Sequence, residues 1–321
     1  MSIIEKAVNR LVQPEPGAAA AAAQSEQAAP QRASLIEAAA DRLDNAALRA
    51  QPARPEAPSA APAATESHGV KEQKSPATVH INLAKLHQAG MLTPDSEKTV
   101  IAEEFRIIKR PLIRNAFNQG AAPIKNGNLI MVTSSLPGEG KSFCAINLAI
   151  SIAMEMDHTV LLVDADVAKP SVPGYLGIKA EKGLMDVLLE EELDLGDVLI
   201  RTNIEKLVLL PAGRGHHYAT EILASDAMSR LLQDMAQRYT DRIIIFDSPP
   251  LLATTESRVL ASHMGQIVMV VEAERTAQET VKEALRQIEA CDVISLLMNK
   301  SQSTTASGYY GGYGGYGGYG G

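Results

Sequence analysis

The sequence predicts an α/β protein, a parallel β-sheet flanked by helices on both faces, with a disordered N-terminal linker and a Gly/Tyr tail. Three observations carry this. Short, β-branched runs alternate with amphipathic helical stretches between residues 128 and 299. Those runs are almost continuously apolar, as strands covered on both faces are. One of them enters a glycine-rich turn and two others end in acids, at the edge where such sheets bind ligands.

Composition sets the boundaries. Residues 1–13, MSIIEKAVNRLVQ, place Ile3, Ile4, Ala7, Val8 and Leu11 on one helical face. That pattern reads as an amphipathic docking helix or as a frayed end with chance periodicity. Residues 14–78 are dominated by Ala, Pro, Gln and Ser and read as a disordered linker. The periodic hydrophobic sequence spans residues 79–300, enough for one well-buried domain. Residues 301–321 form a flexible tail that ends GYYGGYGGYGGYGG.

The net charge of −8 and the lack of an arginine-rich tract argue against nucleic acid as a partner. Two cysteines without a CxxC, and no secretory leader, fit a reducing cytoplasm. The longest apolar stretch, FCAINLAISIAM, falls short of a membrane span.

The elements follow in order. INLAKLHQAGMLTPDS predicts a short helix stopped by Gly90 and Pro94, and a charged helix follows over about 97–110. NLIMVTSS is a strand, residues 141–156 a helix, and HTVLLVD the next strand. GLMDVLLEE is helical, KLVLLPAG is a strand, and residues 219–239 form one long helix. RIIIFD, QIVMVVE and VISLLMN complete the strands, separated by a helix after Thr254 and by TAQETVKEALRQIEA.

The chemistry gathers at three strand ends. SSLPGEGKS, between strand and helix, nearly matches the phosphate-binding pattern G-x-x-x-x-G-K-[ST], with Ser135 at the leading glycine. Gly138 and Gly140 let backbone N–H groups curl round phosphate, Lys141 reaches the terminal phosphates, and Ser142 is placed for Mg²⁺. Pro137, Gly138, Glu139, Gly140, Lys141, Ser142 and Phe143 are the expected ATP-binding run. The alternative is a glycine-rich turn that only joins strand to helix. LLVDADVAKP supplies Asp164 and Asp166, and IIIFDSPP supplies Asp247. A lone acid after an apolar run is commonly a strand cap, but three at the ends of one sheet point to Mg-nucleotide. Ser142, Asp164 and Asp247 are the expected metal-binding residues. Asn299, closing the last strand, reads either as an adenine contact or as a strand-end cap.

These three segments, with the tyrosine-rich end, resemble the bacterial protein-tyrosine kinases (BY-kinases), which adapt a P-loop NTPase fold to phosphorylate tyrosine. The upstream stretch AGMLTPDSEKTVIAEEFRIIKRPLIRNA and the MSIIEKAVNRL start are similar to the soluble autokinases of exosortase-type exopolysaccharide loci. The resemblance covers about residues 79–321. It implies ATP and Mg²⁺ as cofactors, with Lys141, Asp164 and Asp166 catalytic and Asp247 the Walker B acid. It implies autophosphorylation in trans at Tyr309, Tyr310, Tyr313, Tyr316 and Tyr319, and other tyrosine-bearing proteins as substrates. Glu103, Arg106 and Lys109 resemble the family's E-x-x-R-x-x-R oligomerisation motif and imply a ring-like homo-oligomer; the residues alone read equally as a solvated, salt-bridged helix. The implied partner is the cytoplasmic end of a membrane chain-length-determinant protein, which would hold a cytoplasmic chain at the inner membrane. The family's usual arginine after the second acid is replaced by Ala168, with Lys169 following.

Two other readings compete. Partitioning-type ATPases carry a lysine where this chain has Leu136, which cannot bridge to phosphate. A nucleotide-switched scaffold would use the tail only for assembly.

Overall fold

The computed structural model describes residues 78–301, apart from 97, 121, 239 and 240. Segment 1–13, nearly all of the linker and the five tail tyrosines lie outside the described residues. The domain begins one residue earlier than expected, because Thr78–Val79 (β1) already pairs with the sheet.

Among the described residues eight strands form one sheet. The remaining seven are Leu129–Ser134 (β2), Thr159–Asp164 (β3), Ile200–Thr202 (β4), Leu207–Leu210 (β5), Arg242–Asp247 (β6), Gln266–Glu272 (β7) and Ile294–Asn299 (β8). Their order is β1-β4-β5-β3-β6-β2-β7-β8. The expected all-parallel sheet needs one correction: β4 runs antiparallel to β5. A four-residue connection joins these two strands, too short for the crossover that parallel pairing requires.

Helices cover both faces. Leu83–Gln88 (α1), Val100–Ala116 (α2) and Lys141–Ala153 (α3) lie on one. The helix α3 is apolar almost all round and buried along most of its length, as expected of a helix wedged between the sheet and α2. Val172–Leu176 (α4) follows β3, and Leu184–Leu189 (α5) and Leu195–Val198 (α6) precede β4. The opposite face is covered by α5 together with Ala219–Leu223 (α7), Asp226–Arg238 (α8), Glu256–Ala261 (α9) and Gln278–Arg286 (α10).

Two helices differ from expectation. The long helix over 219–239 is divided into α7 and α8. Ser225 divides it, its hydroxyl accepting from Met228 N at 3.3 Å and so offering a local start to the second helix. Conversely, α2 starts later than predicted, at a Thr99 cap, and runs through Pro111 to Ala116. Pro111 is exposed, and so is Ile107 one turn before it, so water can satisfy the carbonyl that the proline leaves unpaired.

Buried amides tie these layers together. The Gln266 side chain donates to Leu112 O (3.0 Å) and Gly127 O (2.6 Å) and accepts from Asn115 Nδ2 (2.9 Å). Asn147 of α3 accepts from Leu92 N at 2.6 Å and donates to Phe143 O at 2.7 Å. Gln266 fixes α2 and the loop before β2 against β7, and Asn147 fixes the Leu92 loop against α3, the helix that follows the phosphate-binding turn.

Candidate active site

The turn between β2 and α3 is held from within. Gly138 (φ 90°) and Gly140 (φ 100°) are left-handed, a region that costs most residues strain. A Cβ on Gly140 would also strike the Asn299 amide. Ser134 Oγ donates to Leu136 O at 2.8 Å, and Leu136 N donates to Glu139 Oε2 at 2.7 Å. The buried Glu139 carboxylate also accepts from the Thr276 hydroxyl. Its side chain therefore shapes the loop, leaving its backbone N–H on the phosphate-facing turn.

The end of β8 grips the same loop from outside. Asn299 Nδ2 donates to Glu139 O at 2.8 Å, and Lys300 Nζ to Gly138 O at 2.7 Å. Asn299 is thus engaged with the loop backbone. Lys300 and Thr276 went unnoticed in the sequence, since nothing in VISLLMNK or ERTAQE marks them as neighbours of the glycine turn.

The three acids converge. Asp164 and Asp247 are register partners across the β3–β6 ladder, and both are fully buried. Asp164 Oδ2 accepts from Ser171 N (2.9 Å) and Val172 N (3.0 Å), while its Oδ1 has no hydrogen-bond partner. Asp166 Oδ2 accepts from Lys141 Nζ at 2.8 Å, and its Oδ1 from Lys169 N at 3.1 Å. Lys141 Nζ also lies 3.8 Å from Asp247 Oδ1, likewise without a hydrogen bond. Ser142 Oγ accepts from Ser171 Oγ at 2.9 Å. Ser171 is a further site residue that the sequence did not reveal.

Burial and mutual repulsion set the electrostatics. Burial, then the Asp247 charge, pushes Asp164 up to about 7. Burial likewise pushes Asp247 up to about 6, against the opposing pull of Lys141. Burial alone would lower Lys141, but Asp247, Asp166 and Asp164 outweigh it and hold the ammonium charged. Two crowded carboxylates with unused inner oxygens, beside a serine hydroxyl, form a hard-oxygen donor set that suits a divalent cation. Among the described residues no group of three or more His, Cys, Asp or Glu side chains closes round a metal by itself. The ion would therefore share its coordination with phosphate oxygens and water, as Mg²⁺ commonly does.

The structure thus brings together Lys141, Ser142, Asp164, Asp166 and Asp247 with the loop over 137–140 and Asn299. Phe143 stands apart, half-buried on the α2 side of α3. The proposed oligomerisation set divides. Glu103 and Arg106 pair on the exposed face of α2. Lys109 is turned inward, only 5% exposed, where it donates to Ser151 O at 2.6 Å and meets Glu155 Oε1 at 2.7 Å.

A loop, lysine and acids so arranged define a P-loop nucleotide-binding protein. The AAA domain family model matches residues 127–300. The chain is 33% identical over 175 residues to the putative tyrosine-protein kinase EpsB of Ralstonia nicotianae, spanning 54% of this chain and 23% of that one. It is 28% identical to the tyrosine-protein kinase YwqD of Bacillus subtilis over 70% of this chain and 92% of that protein. The chimerical protein CapA2B2 superposes with a TM-score of 0.55 at 27% identity, covering 71% of this chain and 96% of its own. The chain belongs to the AAA domain family, and proteins named tyrosine-protein kinases are among those it is similar to. It spans less than a quarter of EpsB and nine-tenths of YwqD. Among the described residues no helix is long and apolar enough to cross a membrane.

Proposed function

We propose that the chain is an ATP-dependent protein-tyrosine autokinase, acting in trans on Tyr309, Tyr310, Tyr313, Tyr316 and Tyr319 of a neighbouring copy. The reading rests chiefly on the meeting of Lys141 with Asp164, Asp166 and Asp247 beside the glycine turn, in a chain whose last fourteen residues carry five tyrosines among glycines. The similarity to proteins named tyrosine-protein kinases supports it.

The residues divide the work. Loop N–H groups and the N-terminus of α3 hold the phosphates. Lys141, now on Asp166, would turn to the γ-phosphoryl oxygens and stabilise their charge. Ser142, Asp164 and Asp247 would hold Mg²⁺, which neutralises phosphate charge when bound. Lys141's departure frees Asp166 to accept a hydrogen bond from the incoming phenol. Carboxylates are far weaker bases than phenolates, so Asp166 orients the hydroxyl and takes its proton late, as a loose transition state allows.

Glycine spacing lets one ring enter the cleft without its neighbours. Fifteen such residues span about 20–23 Å, which reaches an adjacent subunit and favours a ring through effective concentration. Full phosphorylation adds roughly −8 to −10 of charge per tail, which would drive such rings apart. By family likeness, the process regulated is exopolysaccharide synthesis or export, with activation by the cytoplasmic end of a membrane chain-length protein.

The test mixes two full-length variants with ATP and Mg²⁺. One carries Lys141→Met; the other has all five tail tyrosines replaced by Ser. Each alone should stay unlabelled, or fall by at least about 10²-fold for Lys141→Met. The mixture should place phosphotyrosine on the Lys141→Met chain. A wild type that hydrolyses ATP yet never labels its tail would end the kinase reading.

A further inference from the structure

An apolar groove opens on the domain beside the nucleotide edge, between α2 and β8. It encloses about 640 Å³, within the range of ligand-sized pockets, about 300–1,000 Å³. Phe105, Phe143 and Leu297 line its inner side. Ile107 stands on its rim at 56% exposure, and Ser295 faces it from β8. The exposed Leu296 and Met298 project from the strand to the other face of the sheet. An apolar cleft open to solvent and rimmed by an exposed apolar side chain is a surface suited to contact. Among the described residues β8 is also the last strand of the sheet, paired with β7 alone. Its outer backbone groups therefore offer an extended segment a template to pair with.

We propose that this groove holds the chain's own glycine/tyrosine tail. The last described residues, Asn299, Lys300 and Ser301, line the groove, so the tail starts inside it. Lys300 is left-handed (φ 58°), which turns the chain as it leaves β8. Its ammonium is held by Gly138 O at 2.7 Å and by Glu272 Oε2 at 3.2 Å, fixing the point of departure. Tyr309 follows Ser301 by eight residues, a flexible span of roughly 14–17 Å. The six-residue β8 is about 20 Å long, so the first tyrosines reach back along the strand they have just left. Glycines allow close approach to the strand edge, and tyrosine rings bring an apolar body with a polar tip.

Charge makes the seat conditional. The groove contains Glu104, while Lys300, its cation, is already engaged with Glu272. A phosphorylated tyrosine would bring about two negative charges into an apolar groove beside a carboxylate. Unmodified tails dock; phosphorylated tails leave. Docking deepens the kinase reading by giving the acceptor segment a resting site next to the cleft, yet it requires no phosphoryl transfer to be observed.

The test uses full-length protein with the five tail tyrosines replaced by Ser, and a fluorescent GYYGGYGGYGGYGG peptide followed by anisotropy. The peptide should bind, and Ile107→Glu or Ser295→Glu should each weaken it at least tenfold while leaving ADP binding unchanged. Saturating Mg-ADP should not displace it, and the fully phosphorylated peptide should bind at least tenfold more weakly. No binding, or binding that survives both substitutions, would overturn the proposal. Displacement by Mg-ADP would also overturn it, placing the peptide in the nucleotide cleft. So would self-association of the serine-tailed protein that is abolished by the same substitutions, since that assigns the groove to a second copy.

Discussion

The centre and the open edge of this sheet are built on opposite terms. β2 is buried along its whole length, and it lies beside β6, which carries Asp247 next to Asp164 on β3. At the edge, β8 mixes exposed and half-buried residues and, among the described residues, has one side unpaired. The centre confines charges that are costly to bury and therefore need fixed partners; Lys141 and the Ser171 and Val172 amides supply them. The edge confines nothing and offers an accessible surface. Chemistry belongs to the first region and recruitment to the second, and they meet where Asn299 and Lys300 hold the phosphate loop.

The largest effect should come from relieving the centre. Asp164 sits well above its ordinary value of 3.8, at about 7. Between those values the folded chain keeps a proton that the unfolded chain has released, so this group's contribution to stability falls as pH rises through that window. Asp164→Asn retains an oxygen for the two backbone N–H groups and removes the charge. Without nucleotide, the variant's advantage over wild type should be small at pH 4 and grow by up to about 4 kcal/mol at pH 8. Thermal midpoints measured across that range check it. A constant difference would show that Asp164 is not strained by burial, and the contrast between centre and edge would lose its electrostatic basis.

A middle-sized effect asks to which region Lys109 belongs. Its sequence spacing groups it with Glu103 and Arg106 on the outer face, but its ammonium is buried against the last turn of α3 and the residues just beyond. A cation there complements the carbonyl end of the helix that carries the phosphate loop at its other end. Lys109→Met should lower stability by about 1.5–3 kcal/mol, the range for a hydrogen bond to a charged group. Urea unfolding measures it. A change below about 0.5 kcal/mol would return Lys109 to the surface set.

Legibility in the sequence follows the same division. β2, β3, β6 and β7 were readable because strands buried on both faces must be continuous apolar runs. The acids were readable because a charge that ends such a run needs a reason. β1 and β4, with two and three residues, are too short to show any period, and the antiparallel pairing of β4 depends on its short connection. Ser171, Thr276 and Lys300 reach the site through tertiary register, which local pattern does not encode. Lys109 was misplaced because each three-residue step falls about 60° short of a full turn. Two steps carry it about 120° from Glu103, enough on a helix whose side packs on α3 to bring a long side chain inside.

The smallest effect probes the outer face of α2. Glu103 and Arg106 form an exposed i,i+3 pair, and such pairs contribute about 0.2–0.5 kcal/mol. Glu103→Gln should therefore barely move the unfolding midpoint of the isolated chain. An interface across that face would change the outcome in one measurement only: the mass of the unphosphorylated oligomer by light scattering should fall while stability holds. Equal falls in mass and stability would mean that Glu103 supports the fold, and would count against an interface between copies on the outer face of α2.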